Sequence, residues 1–219
     1  MRPFSVPREL GTLRDAYPSA TDLARICSSG NGLVRMAVAR LWLSEGIPFA
    51  FRASPALYEE IRTWLASRLG VDPKEITIVG SARLGQSLDP RTLGAPFSAA
   101  SDLDLTTVSQ SLFDRLVADF NAWAADYETG VVHPGNSRER RFWDDNLKRG
   151  QDLIGRGFMD SKLVPLRERY GCARLIGQTM YLLLGKLHAT SGAPPVSKAD
   201  IRAYRDWGAY ARQMAVSLR

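Results

Sequence analysis

Two short, apolar segments that lie close together in the 219-residue chain restrict its fold most strongly. Residues 75–79 read Glu-Ile-Thr-Ile-Val and are followed by Gly80 and Ser81. Residues 102–108 begin with alternating aspartate and leucine. Short β-branched or alternating runs, bounded by glycine and separated by a loop that contains glycine and proline, predict two buried strands joined by that loop.

Helical patterns surround this strand–loop–strand unit, because apolar residues recur there at helical spacing and several segments carry capping signals. The expected helices cover residues 33–44, 55–69, 109–126, 172–189 and 198–217, with residues 138–156 as a charged helix or loop. Two further short strands are expected at residues 130–133 and 158–164. This order indicates an α/β (α+β) fold, in which a small mixed sheet is flanked by N-terminal helices and by a C-terminal helical part.

The same pattern divides the chain into three regions. We expect an N-terminal arm over residues 1–30, a core over residues 31–165, and a C-terminal helical region over residues 166–219 that packs on the core. The length suits one α/β domain with appended helices. Apolar residues make up 45% of the sequence, which is enough for a sizeable hydrophobic core.

The residues that suggest chemistry lie at the ends of the two predicted strands. Gly80 has no side chain, so the backbone there can approach a ligand closely, and Ser81 offers a hydroxyl group and an N–H group to phosphate oxygens. Asp102 and Asp104 are two residues apart on a strand, so both carboxylates face the same side. Adjacent carboxylates repel one another unless cations bridge them, and Mg²⁺ is commonly bound by one or two carboxylates plus substrate phosphates.

This arrangement resembles the nucleotidyltransferase superfamily that includes DNA polymerase β, and in particular its small prokaryotic members. The resemblance rests on the sequence GSARLG at residues 80–85, followed by SDLDL at residues 101–105, and it is specific over residues 76–108. It implies a nucleotidyltransferase core and the transfer of a nucleoside monophosphate from an NTP to a hydroxyl group of a protein, an RNA or a nucleotide.

The resemblance also implies roles for individual residues. Gly80 and Ser81 would bind the triphosphate of the nucleotide, and Arg83 would add positive charge there. Asp102 and Asp104 would be catalytic and would bind two Mg²⁺ or Mn²⁺ ions, which stabilise the attacking and leaving oxygens of an in-line displacement. The expected donor is ATP.

In that superfamily a third carboxylate on a later strand activates the acceptor hydroxyl. Asp160 is the candidate here, because it lies in the apolar run 158–164, and Asp126 and Glu128 are weaker candidates. Lys162 would lie on the same face of that strand as Asp160 and contact a phosphate. The loop between the two motifs is long, and residues 87–100 suggest an inserted substrate loop.

Charge also favours a polyanionic partner, since the net charge is +6 and the pI is about 9.6. Residues 138–174 hold ten lysines and arginines against six acidic residues. Phe142, Trp143 and Tyr170 lie among them, which suits a phosphate-binding groove with stacking surfaces. The alternative is a solvated helix whose aromatic residues belong to the core.

Other functional classes have less support in the sequence. The P-loop motif G-x-x-x-x-G-K-[ST] is absent, and Cys27 and Cys172 do not have metal-ligand spacing. The most apolar stretch, residues 175–187, is too short and too interrupted to span a bilayer. We therefore expect a cytoplasmic protein that binds NTP and a protein or RNA acceptor, with no membrane partner and with its oligomeric state open.

Two alternatives to this enzyme remain open. The fold could be retained without catalysis, in a binding module that senses nucleotide or acts as an antitoxin-like partner in a defence system. The protein could also synthesise an oligonucleotide second messenger, although the chain is short for a protein of that kind.

Overall fold

Within residues 5–218, which are the residues that the computed structural model describes, four strands form one mixed sheet. The strands are β1 (Ile76–Val79), β2 (Asp102–Val108), β3 (Phe158–Asp160) and β4 (Lys198–Tyr204). The helices are α1 (Ala20–Ser29), α2 (Gly32–Leu41), α3 (Pro55–Leu69), α4 (Gly80–Leu84), α5 (Gln110–Glu128), α6 (Ser137–Arg156), α7 (Gly171–Ala189) and α8 (Trp207–Ser217). The prediction of a mixed α/β fold with a small sheet is therefore confirmed.

The strand order in the sheet is β1-β2-β4-β3. β1 is antiparallel to β2, β2 is parallel to β4, and β3 is antiparallel to β4. A parallel pair requires a long crossover, and here the chain between β2 and β4 contains α5, α6, β3 and α7. The two central strands therefore come from distant parts of the sequence and pair over seven residues, from Asp102 beside Lys198 to Val108 beside Tyr204.

The predicted helix over residues 198–217 is wrong in its first part. Residues 198–204 form strand β4, and the helix that follows covers Trp207–Ser217. Its N-cap is Asp206, whose carboxylate accepts a hydrogen bond of 2.7 Å from the N–H of Ala209. Along β4 the buried residues alternate with more exposed ones: Ala199, Ile201 and Ala203 are buried, whereas Lys198, Asp200 and Arg202 are not. The period of two is that of a strand with one buried face.

Two smaller predictions also differ from the structure. Residues 130–133, expected as a strand, form turns and bends after α5. In the run 158–164 only Phe158–Asp160 is a strand, because the Asp160 carboxylate accepts a hydrogen bond from the N–H of Lys162 and caps a 3₁₀ turn over Ser161–Leu163. The charged segment after residue 137 is helix α6, and the other predicted helices are found within a few residues of their expected bounds.

All three predicted regions contribute to one hydrophobic core. Leu23 and Cys27 of α1 belong to it, as do Leu103 of β2, Tyr204 of β4 and Tyr210 of α8. α2 packs against α8, so the N-terminal helices are joined to the C-terminal end of the chain. In the part of the chain that the structure describes, no helix is both long and apolar enough to cross a membrane.

The contact between α5 and α6 gives a direct test of the core. A Cβ at Gly150 would lie 2.0 Å from the Cζ of Phe120, which is completely buried. We expect Gly150→Ala to lower the free energy of unfolding by about 1–3 kcal/mol, because the Phe120 ring must shift within a packed core.

Gly155→Ala, in the same helix, is the matched control, since no atom lies within 4 Å of the added Cβ. Alanine is a better helix former than glycine by about 1 kcal/mol, so this variant should be neutral or stabilising. Chemical denaturation of both variants measures the difference. Equal stability of the two would contradict the packing of α6 against α5.

Candidate functional site

Strand β1 ends beside the carboxylate of Asp104. Val79 pairs with Asp104 in the β1–β2 ladder, and α4 begins at the next residue, Gly80. Gly80 has a φ of +69°, and a Cβ added there would lie 3.0 Å from Oδ2 of Asp104. Any other residue would be strained by the backbone conformation and would press on the carboxylate. Glycine thus allows the end of the strand to lie against the acid.

Asp102 and Asp104 both project from the accessible face of β2. The residues between and after them, Leu103 and Leu105, are buried in the core, so the alternation of the strand turns both aspartates the other way. The Oδ1 of Asp102 accepts a hydrogen bond of 2.7 Å from the hydroxyl of Ser197. The two acids therefore have the arrangement that the sequence spacing predicts.

The carboxylate next to Asp104 on the neighbouring strand is that of Asp200. Asp104 and Asp200 are partners in the parallel β2–β4 ladder, so their side chains emerge on the same face of strands about 4.8 Å apart. The Nζ of Lys162 lies 2.5 Å from Oδ2 of Asp200. Sequence reasoning missed Asp200 because it assigned residues 198–217 to a helix. The alternation of buried and exposed residues along β4 was the signal that could have identified it.

Asp160, the predicted third carboxylate, lies on a later strand but farther from Asp104 than Asp200 does. It lies on the edge strand β3 opposite Arg202, so β4 separates it from β2 by two strand spacings, about 10 Å in all. Its Oδ1 accepts a hydrogen bond of 3.0 Å from the N–H of Lys162, and its Oδ2 lies 3.7 Å from Arg202. Asp160 lines the same cavity as Asp104, but the position beside Asp104 belongs to Asp200.

The weaker acidic candidates lie outside this cavity. The Oδ2 of Asp126 accepts a hydrogen bond of 2.8 Å from the hydroxyl of Tyr170 and lies 3.0 Å from Arg169, so it ties α5 to the segment before α7. Glu128 is the last residue of α5. Neither residue lines the space around Asp104 and Asp200.

The structure places two of the predicted phosphate-binding side chains near Gly80 or Asp200 and buries the third. Ser81 is half-buried at the second position of α4, next to Gly80, and Lys162 reaches Asp200 from its 3₁₀ turn. The side chain of Arg83 is instead buried on the inner side of α4, and its Nε donates a hydrogen bond of 2.9 Å to the carbonyl of Trp42. Burial lowers the pKa of its guanidinium. The structure therefore does not bring Arg83 to the cavity that Gly80 and Asp104 line.

The electrostatics of the site are seen most clearly at Asp104. Surrounding protein atoms desolvate its carboxylate and raise its pKa, and the negative charges of Asp102 and Asp200 raise the pKa further. Arg202 and Lys162 act in the opposite direction. The Asp104 side chain is nevertheless accessible to solvent from the cavity, so a ligand can reach it. A bound cation would relieve the repulsion that the neighbouring acids impose.

A cavity of about 410 Å³ is lined by Asp104, Asp160, Asp200 and Arg202. Leu88, Asp89 and Pro90 of the loop between α4 and β2 form part of its wall. Hydrogen bonds from Arg91 lower the pKa of Asp89 to about 2, so Asp89 is ionised and tied to Arg91. Among the acidic side chains that line the cavity, Asp104 is the one without an ion-pair partner within residues 5–218.

The donor atoms of the site suit a hard divalent cation. Among residues 5–218, no group of three or more histidine, cysteine, aspartate or glutamate side chains has the geometry of a preformed metal site. Mg²⁺, however, needs only one or two carboxylates when phosphate oxygens and water complete its coordination. Asp102 and Asp104 are two such carboxylates on one face of β2.

Comparison of the chain with protein-family models, with curated proteins and with solved structures gives no match. Its function is therefore inferred from the residues of the site itself. The positions that carry this inference are the glycine at the end of β1 and the acids on β2 and β4.

The contact between Gly80 and Asp104 can be tested against a second glycine. Gly80 and Gly94 both have positive φ, +69° and +79°, so alanine at either position is strained by roughly 1 kcal/mol. Only at Gly80 would the added Cβ meet a neighbour, since nothing lies within 4 Å of the Cβ at Gly94. We expect Gly80→Ala to reduce the free energy of unfolding more than Gly94→Ala, measured by chemical denaturation. Equal losses would show that Gly80 is not packed against Asp104.

The raised pKa of Asp104 predicts a change of stability with pH. Since the fold disfavours the ionised form, Asp104 lowers stability once the pH exceeds the ordinary aspartate pKa of about 4. Asp104→Asn should therefore increase the free energy of unfolding at neutral pH. The gain should disappear below about pH 4, where the carboxyl group is protonated in both the folded and the unfolded chain.

Asp145→Asn is the control for this measurement, because Asp145 is exposed on α6. It should change stability little at any pH. Thermal unfolding of the wild type and both variants, followed across the acid range, gives the comparison. A loss of stability in Asp104→Asn at neutral pH would contradict the electrostatic description of the site.

Proposed function

We propose that the protein is a metal-dependent nucleotidyltransferase that moves a nucleoside monophosphate from an NTP, with ATP as the expected donor, to a hydroxyl group. The observation that supports this most is the pairing of Asp104 with Asp200 on adjacent parallel strands. Gly80 brings the end of β1 against the same carboxylate. A cavity open to solvent, with hard oxygen ligands and cations around it, suits a nucleotide with its metal ion.

Each residue of the site has a distinct part in the proposed reaction. Asp102 and Asp104 would hold Mg²⁺ or Mn²⁺, which when bound neutralises phosphate charge and acts as a Lewis acid. Asp200 lies where a carboxylate can accept the proton of an acceptor hydroxyl. The hydroxyl oxygen then bonds to the α-phosphorus, and the bond from that phosphorus to the pyrophosphate oxygen breaks. Lys162 holds Asp200 in an ion pair and adds positive charge near the leaving phosphates.

A nucleotide-binding module without catalysis is the second candidate. It is favoured by the ion pair between Lys162 and Asp200, which occupies a carboxylate that catalysis would need. Such a protein would bind NTP and Mg²⁺ but would form no pyrophosphate.

The roles of the acids are tested by comparing Asp200→Asn with Asp160→Asn. Both residues line the cavity, but only Asp200 is the ladder partner of Asp104. We expect Asp200→Asn to slow transfer from labelled NTP by about 100-fold or more, as the loss of a general base does, and Asp160→Asn to slow it by less than about tenfold. Asp104→Asn should abolish Mg²⁺-dependent transfer.

The assay uses each labelled NTP with Mg²⁺ or Mn²⁺, in the presence and absence of cellular RNA and protein, and thermal unfolding verifies that each variant is folded. If Asp160→Asn were inactive and Asp200→Asn active, Asp160 would be the third carboxylate after all. Tight NTP binding by the wild type with no transfer to any acceptor would favour the binding module.

A further inference from the structure

A second cavity, of about 370 Å³, lies beside the acidic one and carries the opposite charge. One face of α6 forms one wall, β3 and the turn after it form the floor, and Arg202 and Gln213 complete the lining. Four cations border it, with Asp160 as the acidic residue among the lining side chains. We call it the cationic groove, and its cations are Arg149, Arg156, Lys162 and Arg202.

Two of the arginines are organised by a buried aromatic ring. The side chain of Phe158 is only 5% exposed, and its ring stacks on that of Tyr204, with the ring centroids 5.4 Å apart. The guanidinium carbons of Arg156 and Arg202 lie 5.1 Å and 5.6 Å from the centroid of the Phe158 ring. Cation–π attraction to a fixed ring limits the movement of both guanidinium groups, so the groove presents its charges in a defined arrangement.

The positive charges of the groove are incompletely compensated. The side chain of Arg149 is exposed and makes no hydrogen bond or ion pair with the residues that the structure describes. Arg202 lies 3.7 Å from Asp160, and its Nε is buried without a partner among those residues. Arg156 and Lys162 do have carboxylate partners, Asp152 at 3.2 Å and Asp200 at 2.5 Å, so Arg149 carries the charge that the fold leaves open. Cations gathered in this way repel one another, and a bound anion would relieve the repulsion.

The cationic groove is continuous with the proposed active site. Asp160 and Arg202 line both cavities, and Lys162 reaches from the groove to Asp200. Phe142 is 54% exposed and also borders a third cavity of about 630 Å³, which is lined by the exposed ring of Tyr181 and by Lys162 and Asp200. A ligand in the groove would thus meet an exposed aromatic surface beside Asp200 and positive charges along the rest of the groove.

The dimensions favour a strand over a single nucleotide. Arg149 and Arg156 are seven residues apart on α6, which separates their backbones by about 10 Å along the helix axis. Successive nucleotides of an extended strand can cover that span, whereas the linked phosphates of one triphosphate gather their charge over a shorter length. Single-stranded nucleic acids bind to positively charged grooves that also offer aromatic side chains for stacking.

We propose that the cationic groove binds the phosphodiester backbone of a single-stranded nucleic-acid acceptor, with a base stacked on Phe142 and the terminal hydroxyl directed to Asp200. The inference rests on the proposed function, since it names the acceptor of that reaction. The shared chemistry is that of a phosphodiester strand, and the test distinguishes RNA from DNA.

Binding is measured on the full chain by fluorescence anisotropy, with labelled oligoadenylate as RNA and as DNA, without NTP or divalent metal, over a range of salt concentrations. Arg149→Ala removes an exposed cation that has no partner in the fold. We expect it to weaken binding about fivefold at low salt and to reduce the slope of log affinity against log salt by about 0.7, the value for one phosphate contact in a single strand.

Arg140→Ala is the matched control, because Arg140 is exposed and lies on the opposite side of α6, nine residues from Arg149. It removes the same charge from the same helix and should leave both the affinity and the slope nearly unchanged. Phe142→Ala should weaken binding by about fivefold or more through lost stacking, with the salt slope unchanged. Thermal unfolding shows whether each variant retains its fold.

Binding of either oligonucleotide with this pattern of variants supports the proposal, and a preference for RNA or DNA identifies the acceptor class. Failure of both to bind, or equal effects of Arg149→Ala and Arg140→Ala, overturns it. Displacement of a bound strand by equimolar tripolyphosphate would also overturn it, because the groove would then be a triphosphate site. The assay needs no catalysis, so it separates this inference from the proposed function. If a strand binds but no transfer occurs, only the proposed function is rejected. If transfer to another acceptor occurs without strand binding, only this inference is rejected.

Discussion

The pairing of β2 with β4 is the interaction on which the candidate site depends. It places Asp104 beside Asp200 at the spacing of neighbouring strands, about 4.8 Å, although the two residues are far apart in sequence. Two carboxylates on the same face of neighbouring strands repel one another and would separate in a looser structure. The opposite face of β2, with Leu103 and Leu105 buried in the core, holds the strand in place. Hydrophobic packing on one face of the sheet thus maintains like charges on the other.

Cations around the acids reduce this repulsion without removing it. Lys162 pairs with Asp200 at 2.5 Å, and the Nζ of Lys198 lies 3.8 Å from Asp102. The pKa of Asp104 remains raised in spite of Lys162 and Arg202. Unfavourable electrostatics that the fold tolerates are common at functional sites, because a ligand can relieve them when it binds. Under the proposed function, that ligand is the metal ion of a nucleotide.

Opposite charges lie in neighbouring cavities of this protein. Asp102, Asp104 and Asp200 form an acidic cluster that suits cations, while Arg149 and Arg156 belong to a groove that suits an anion. The two cavities meet at residues of β3 and β4. A reaction between a metal-bound nucleotide and a polyanionic acceptor would need this kind of separation, since each substrate requires a surface of opposite charge.

Part of this site could be predicted from sequence because its signals are local. A β-branched run followed by glycine predicts β1 and its end, and the alternation of aspartate and leucine predicts the strand that carries Asp102 and Asp104. The prediction failed for residues 198–204, where Ser197 and Asp200 imitate a helix cap and the following residues suit either structure. The partner strand decides the secondary structure of this segment, because β2 offers an unpaired edge with which residues 198–204 can pair.

The position of Asp160 in the sheet also could not be predicted from its neighbours in the sequence. It lies in an apolar run that fits a strand, and it does form the end of β3, but its own side chain caps the next turn and stops the strand. Its distance from Asp104 depends on the order of strands in the sheet, which adjacent residues do not encode. Nothing within the run itself distinguishes an edge strand from the strand beside β2.

The sequence by itself determined the mixed α/β class, the end of β1 at Gly80 and the two acids on one face of β2, because each follows from residues that are neighbours along the chain. Only the tertiary structure decided which later carboxylate lies beside Asp104, that Arg83 is turned into the core, and that the basic residues of α6 border a groove continuous with the acids. These features depend on long-range strand pairing and helix packing, whose free energy is set by the whole core.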